Sequence, residues 1–290
     1  MAIYGVNRRV REAIMAGIFY PDDGTVLMEA VDDALRNAAV AKGDAAGNLA
    51  GNAASAWPMA ILSPHAAFAY SGAVQGAAWA SSKGRQIDRI VILAPIRRTG
   101  ETAAYLPEAT VFQTPIGDVE VDTGACADLE SCSTLFSSND LPHLESHAIE
   151  VQLPFMRRLF PHALLVPILV GGDARVAEIV SRAVDVVFGD DMERVLVVAS
   201  SNLASSMIAV DAERRSDELL VSIMAGDWRL VAEHRETIGA VVIAATMALR
   251  SMTGARGRLL ARLDSRGHSG SALERIVHYG ALAWYEGAIS

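Results

Sequence analysis

Seven histidines, His65, His143, His147, His162, His234, His268 and His278, are the side chains of this sequence best suited to move a proton or hold a metal. Imidazole changes charge nearest neutral pH and is the commonest neutral donor to a transition metal. His65 lies in Leu62-Ser63-Pro64-His65-Ala66-Ala67-Phe68-Ala69-Tyr70-Ser71-Gly72, where an apolar run gives way to a Pro- and Gly-punctuated loop, with Tyr70 beyond. His143, His147 and Glu150 stand at i, i+4 and i+7 in HLESHAIE. On a helix that spacing would bring two imidazoles and a carboxylate to one face. A carboxylate beside an imidazole fixes its tautomer and raises its pKa, so His65 or His147, oriented by Glu150, are the candidate general bases. A polar first turn of a helix accounts for the same spacing without any chemistry.

Arg97 and Arg98, in Ala94-Pro95-Ile96-Arg97-Arg98-Thr99-Gly100, could hold a carboxylate or phosphate. Asn202 and Ser205 occupy a similar loop, Ser200-Ser201-Asn202-Leu203-Ala204-Ser205-Ser206, polar but neutral. His162 and His234 flank helical patterns and read as surface residues, and His268 sits in a glycine-rich loop. The sequence has no G-x-S-x-G elbow, P-loop or G-x-G-x-x-G, which removes the simplest hydrolase, NTPase and dinucleotide readings.

The elements that must position these residues alternate. Met59–Leu62, Ile90–Leu93, Leu164–Val170 and Val195–Val198 are short apolar runs without polar alternation, the habit of strands covered on both faces. Helical patterns over Thr25–Ala39, Gly72–Ser82, Ile149–Leu159, Ala174–Phe188 and Asp211–Met224 lie around and between them. The alternation predicts one α/β domain over 1–290, a layered α/β/α sandwich with a central, mostly parallel sheet and a surface loop over 43–56. His65, Arg97 and Asn202 each follow a predicted strand, and ligand crevices of open α/β sheets lie outside the strands' carboxyl ends.

The chain has 34 acidic and 25 basic residues, a net charge of −9, which argues against a nucleic-acid partner. A 51% hydrophobic composition excludes global disorder. Two cysteines, Cys126 and Cys132, exclude a disulfide framework or a four-cysteine zinc site, while a local bridge stays open. The N-terminus lacks the apolar core of a secretory signal, and the longest apolar stretches fall short of the ~18 residues of a membrane span. A cytoplasmic protein without a membrane partner is expected.

Several segments together resemble the Memo-like family, which shares the fold of the class III extradiol dioxygenases. Ala16-Gly17-Ile18-Phe19-Tyr20-Pro21 is similar to its A-G-x-F-Y-P signature, and Pro64–Gly72 to its P-H-A-G-Y-x-Y-S-G loop. Thr114-Pro115-Ile116-Gly117-Asp118-Val119 is similar to T-P-L-G-x-V, and His143–Phe155 to H-x-x-E-H-S-L-E-V-Q-L-P-F. Val166–Gly171 and Val277-His278-Tyr279-Gly280 complete the ordered series. The resemblance implies a metal-type site made by the histidine at His65, a second histidine in G-P-x-H and a late cysteine, with an Asp and a His of S-S-D-L-x-H close by. In this sequence the second position is Arg97, the Asp is Asn202, the His is Ser205, and the late segment reads Thr237-Ile238-Gly239-Ala240.

A guanidinium has no lone pair to donate and places a fixed positive charge where a cation would sit. The expectation is therefore a member without metal or other cofactor, binding a small anionic ligand through Arg97, Arg98, Asn202, Ser205, Tyr70 and His143. A protein partner, such as an intact paralogue or another component of a Memo-like gene system, is the companion expectation, and oligomerisation stays open. The alternative is an oxidoreductase resembling the extradiol dioxygenases, with iron(II) or copper on a rearranged set of His65, His143, His147 and Glu150. A third reading is a metal-free enzyme with a histidine base and Arg97 holding the substrate.

Overall fold

A computed structural model describes residues 8–45, 57–98, 100–267 and 275–286. The strands are β1 (Val10–Arg11), β2 (Ala60–Ser63), β3 (Arg89–Pro95), β4 (Ala103–Leu106), β5 (Val111–Phe112), β6 (Val119–Glu120), β7 (Phe136–Ser138), β8 (Leu164–Gly171), β9 (Val195–Ser200), β10 (Ala204–Ser206), β11 (Arg256–Asp264) and β12 (Ile276–Tyr285). The helices are α1 (Gly24–Ala45), α2 (Phe68–Ala80), α3 (Thr123–Cys132), α4 (Asp140–Glu145), α5 (Leu153–Leu159), α6 (Ala174–Phe188), α7 (Ala209–Met224), α8 (Trp228–Ala232) and α9 (Ala240–Met247).

The four apolar runs read from the sequence are β2, β3, β8 and β9. They form the parallel centre of a nine-stranded sheet, eight strands of which run in the order β10-β12-β2-β9-β3-β8-β4-β7 while β11 pairs with β12 off that path. Ile90 to Ala94 and Leu196 to Ala199 are almost wholly removed from water, which is why these strands need no polar alternation. Each such Ile, Leu or Val contributes roughly 1.5–3 kcal/mol of burial. Antiparallel strands flank this centre: β12 pairs with β2, β10 and β11 on one side, and β4 with β8 on the other. A three-stranded sheet, β1-β5-β6, joins the start of the described chain to residues 111–120.

Helices cover both faces. On one, α2 packs on β2 and β12 with α1 outside it. On the other, α9 lies on β3, β8 and β9 and is backed by α6 and α8. Every residue of α9, AVVIAATM, is buried, as an apolar helix enclosed on all sides must be. Asp173 starts α6 by accepting the Arg175 and Val176 amides, satisfying orphan donors of the first turn.

α1 runs on through Ala45, so the first residues of the loop expected over 43–56 are helical; residues 46–56 lie outside the described residues, as does His268. Both cysteines fall in α3, Cys126 buried and Cys132 exposed, and both are free thiols. His162 is exposed, whereas His234 is only 15% exposed and bonded to Ser222 Oγ at 2.9 Å. Among the described residues no helix is long and apolar enough to cross a membrane.

Candidate functional site

The helix that would align His143, His147 and Glu150 does not form. α4 ends at Glu145, Ser146 is extended at φ −110°, ψ 131°, and the chain re-enters as a 3₁₀ turn over Glu150–Gln152 before α5. The cause is Arg11. Its Nε and Nη2 donate to the His143 carbonyl at 3.0 and 2.9 Å, and Nη2 also reaches the Ser146 carbonyl at 3.2 Å. A continuing helix would have needed those carbonyls for its own amides.

Glu150 anchors the same guanidinium. The pair is 2.6 Å apart, with side chains 3% and 0% exposed. Its other oxygen accepts from the Met15 amide at 2.8 Å and from the Tyr20 hydroxyl at 2.5 Å. Burial, with the adjacent carboxylate second, drives the Tyr20 phenol far above its usual range. Both oxygens of Glu150 are therefore committed, and none of these bonds is to a histidine. His143 belongs to this buried cluster: Nε2 donates to the Tyr105 carbonyl at 3.1 Å, and the ring meets Phe112 edge-on. Burial lowers the His143 pKa to about 4.

A different group comes together at the carboxyl ends of three adjacent parallel strands, β2, β9 and β3, carrying His65, Asn202 and Arg97 respectively. The fourth member, His147, arrives from the loop after α4. Its ring lies 5.5 Å from that of His65 in a T-shaped arrangement, while Phe19 stacks on it at 4.4 Å. Burial lowers His65 to about 4, with the positive charge of Arg97 a smaller contribution. Burial lowers His147 to about 3, followed by His65 and Arg97. Both imidazoles are neutral near pH 7, and Arg97 carries the positive charge of the group.

Arg97 is exposed, and its Nη1 reaches only the Glu145 carbonyl, at 3.4 Å; no ion pair holds it among the described residues. Arg98 instead pairs with the Glu145 carboxylate at 2.7 Å. Both arginines border a small cavity of about 80 Å³ with Glu101, Tyr105 and Pro142. Ser205 lies on β10, its hydroxyl accepting from Arg275 at 3.3 Å. Tyr70 is in the first turn of α2, and its phenol helps push the buried Tyr279 up to about 12, with burial the larger cause. The structure thus gathers His65, His147, Arg97 and Asn202, and gives Arg98, His143, Glu150, Ser205 and Tyr70 other partners or surroundings.

Two residues that the sequence analysis did not single out, Gln152 and Ser200, hold this group. Gln152, fully buried, donates to the Pro64 carbonyl at 2.8 Å and to Ser200 Oγ at 3.2 Å, and accepts from Trp79 Nε1 at 2.9 Å. Ser200 Oγ donates to the Ala148 carbonyl at 2.7 Å. One hub therefore grips the residue before His65 and the residue after His147. Its signal was a lone amide inside the apolar stretch Ile149–Phe155, where a buried polar group demands partners. Nearby, the segment Thr237–Ala240 abuts the Asn202 loop: Thr237 Oγ1 donates to the Leu203 carbonyl at 2.9 Å, and a Cβ on Gly239 would lie 1.8 Å from Ser201 Oγ.

Comparison with known proteins places the chain in a family. Residues 11–283 match the family model described as Memo-like protein. A MEMO1 family protein of Thermotoga neapolitana is 29% identical over 94% of this chain and 99% of its own. Others from Aeropyrum pernix and Methanobrevibacter smithii are 27% and 26% identical, covering 89% and 94% of this chain and 93% and 98% of theirs. Among solved structures, an uncharacterized protein of Escherichia coli K12, JW3007, resembles 68% of this chain and 86% of its own at 9% identity and a TM-score of 0.44, too distant to bear on the site. A family match spanning nearly the whole described chain, over a layered α/β fold, leaves one assignment: the chain belongs to the Memo-like family.

Proposed function

We propose that this Memo-like protein binds a small anion at Arg97, in a strand-end crevice that no longer suits a metal. The observation that carries the reading is the Arg97 guanidinium itself, exposed, without a carboxylate partner among the described residues, and close enough to act on both His65 and His147. An arginine in that state is a ready receptor for a carboxylate or phosphate oxygen, and a charge-assisted hydrogen bond of this kind contributes about 1.5–3 kcal/mol.

The residues present do not fit iron(II) or copper. Two imidazoles converge, but the third member is a guanidinium, which keeps its protons and repels a cation. Bringing in Glu150 would require breaking its buried bonds to Arg11, Tyr20 and Met15, and bringing in His143 would cost its bond to Tyr105. Among the described residues no group of three His, Cys, Asp or Glu side chains is arranged to hold a metal.

The test pairs two measurements on the full chain. Titration with acetate and with inorganic phosphate, followed by NMR, should give saturable shifts at His65 and His147. Arg97→Ala should weaken the tighter anion by about tenfold or more. Elemental analysis after incubation with iron(II) or copper under reducing conditions should find no stoichiometric metal. A full equivalent that disappears in His65→Ala would overturn the proposal and restore a redox enzyme.

A further inference from the structure

From the hydrogen-bond polarity of the crevice we infer that its ligand is a hydroxycarboxylate, an anion carrying a hydroxyl beside its carboxylate; this rests on the anion reading above. Three atoms establish the polarity. His65 Nδ1 faces the Ser200 carbonyl at 3.1 Å, and a carbonyl can only accept, so the ring proton is on Nδ1. The neutral ring has no second proton, and its Nε2 offers a lone pair. The Asn202 side chain meets the backbone N–H of His65 at 3.2 Å; that contact requires its oxygen, which leaves the amide NH₂ as its other end. His147 Nδ1 is buried without a partner, so the ring proton is better placed on Nε2.

The group therefore presents donors from Arg97, Asn202 and His147, and one acceptor, His65 Nε2. No hydrogen bond between the two rings uses that acceptor internally, although they are 5.5 Å apart. A simple carboxylate would satisfy the donors and leave its own lone pairs facing that of His65. A hydroxyl on the neighbouring carbon resolves the conflict by donating to His65 Nε2 while the carboxylate lies on Arg97 and Asn202. A site built to pair a substrate hydroxyl discriminates against the analogue lacking it, because its acceptor then has no partner on the ligand.

The polarity is set by neighbours that touch no ligand. Gln152 and Ser200 hold the backbone on either side of the two histidines, and the Ser200 carbonyl fixes the His65 tautomer. They are positioning residues for the acceptor.

Calorimetric titration of the full chain with lactate and with propionate, which differ by the one hydroxyl, tests the inference at pH 7.5. Lactate should bind about tenfold or more tightly than propionate, and Arg97→Ala should weaken both. Equal affinities, both lowered by Arg97→Ala, would overturn the hydroxycarboxylate and leave the anion reading standing. Failure of lactate, propionate, acetate and phosphate alike would overturn both. An independent measurement needs no variant or ligand: ¹⁵N NMR of the imidazoles should show His65 protonated at Nδ1, and a proton at Nε2 would remove the argument.

Discussion

His65, His147 and His143 are buried imidazoles, and that burial reaches stability. Burial, the largest cause for each, holds His65 at about 4, His147 at about 3 and His143 at about 4, all below the 6.5 of a free imidazole; Arg97 adds to the lowering of His65, and His65 and Arg97 to that of His147. Between pH 6.5 and about 4 the unfolded chain therefore binds more protons than the folded one, and stability must rise with pH across that window. The contribution is complete above pH 6.5 and is lost on acidification, at up to about 1.4 kcal/mol per pH unit for each group. Denaturant midpoints should fall steadily from pH 7 to pH 4.5; a flat profile would contradict the burial of these rings. The placement of His65, Arg97 and Asn202 at neighbouring strand ends was legible because each follows an apolar run in the sequence. The charge states of His65 and His147 were not, since desolvation depends on what the rest of the chain places around them.

The elements were legible wherever a local pattern decides them, and illegible where a distant side chain intervenes. α6 spans the stretch expected of it, with its apolar stripe inward and Asp173 as its cap. The run through His143 and Glu150 carries a helical spacing that Arg11, 132 residues from His143, overrides by capturing its carbonyls. The crossing of α1 and α2 shows the same dependence at Gly76. In an exposed helix interior, Gly to Ala gains about 0.5–1 kcal/mol. Here an added Cβ would fall 2.4 Å from the Ala34 carbonyl oxygen and 2.8 Å from its Cβ, contacts with backbone that cannot rotate away. Overpacking should win, and Gly76→Ala should destabilise by about 1–3 kcal/mol in urea denaturation. A stabilised variant would show that the helices can separate without cost.

Across the whole molecule, the N-terminal segment is held onto the α/β body by Arg11 and Glu150. This ion pair joins β1, the Tyr20 turn and the loop carrying His147, and Phe19 on the same segment stacks over that histidine. Replacing such a pair by a matched apolar pair can be nearly neutral, but removing one partner strands the other charge. Glu150→Gln should therefore cost about 3–5 kcal/mol, read as a lowered urea midpoint. A loss below about 1 kcal/mol would mean that the guanidinium finds water or another acceptor.

The sequence by itself determined the layered α/β architecture and the family, because burial on both faces of a parallel sheet leaves continuous apolar runs, and the motifs recur in order along the chain. It also determined that Arg97 stands where the resemblance implies a metal-ligating histidine, since the type of a side chain is a local fact. Only the tertiary structure decided which titratable groups meet. Glu150 and His143, spaced as candidate catalytic residues, are drawn into the Arg11 cluster, while His147 turns to His65 and Arg97. Spacing along a chain predicts neighbours only while one helix or strand continues. At Glu145 the helix stops, and from there hydrogen bonds from distant parts of the chain choose the partners.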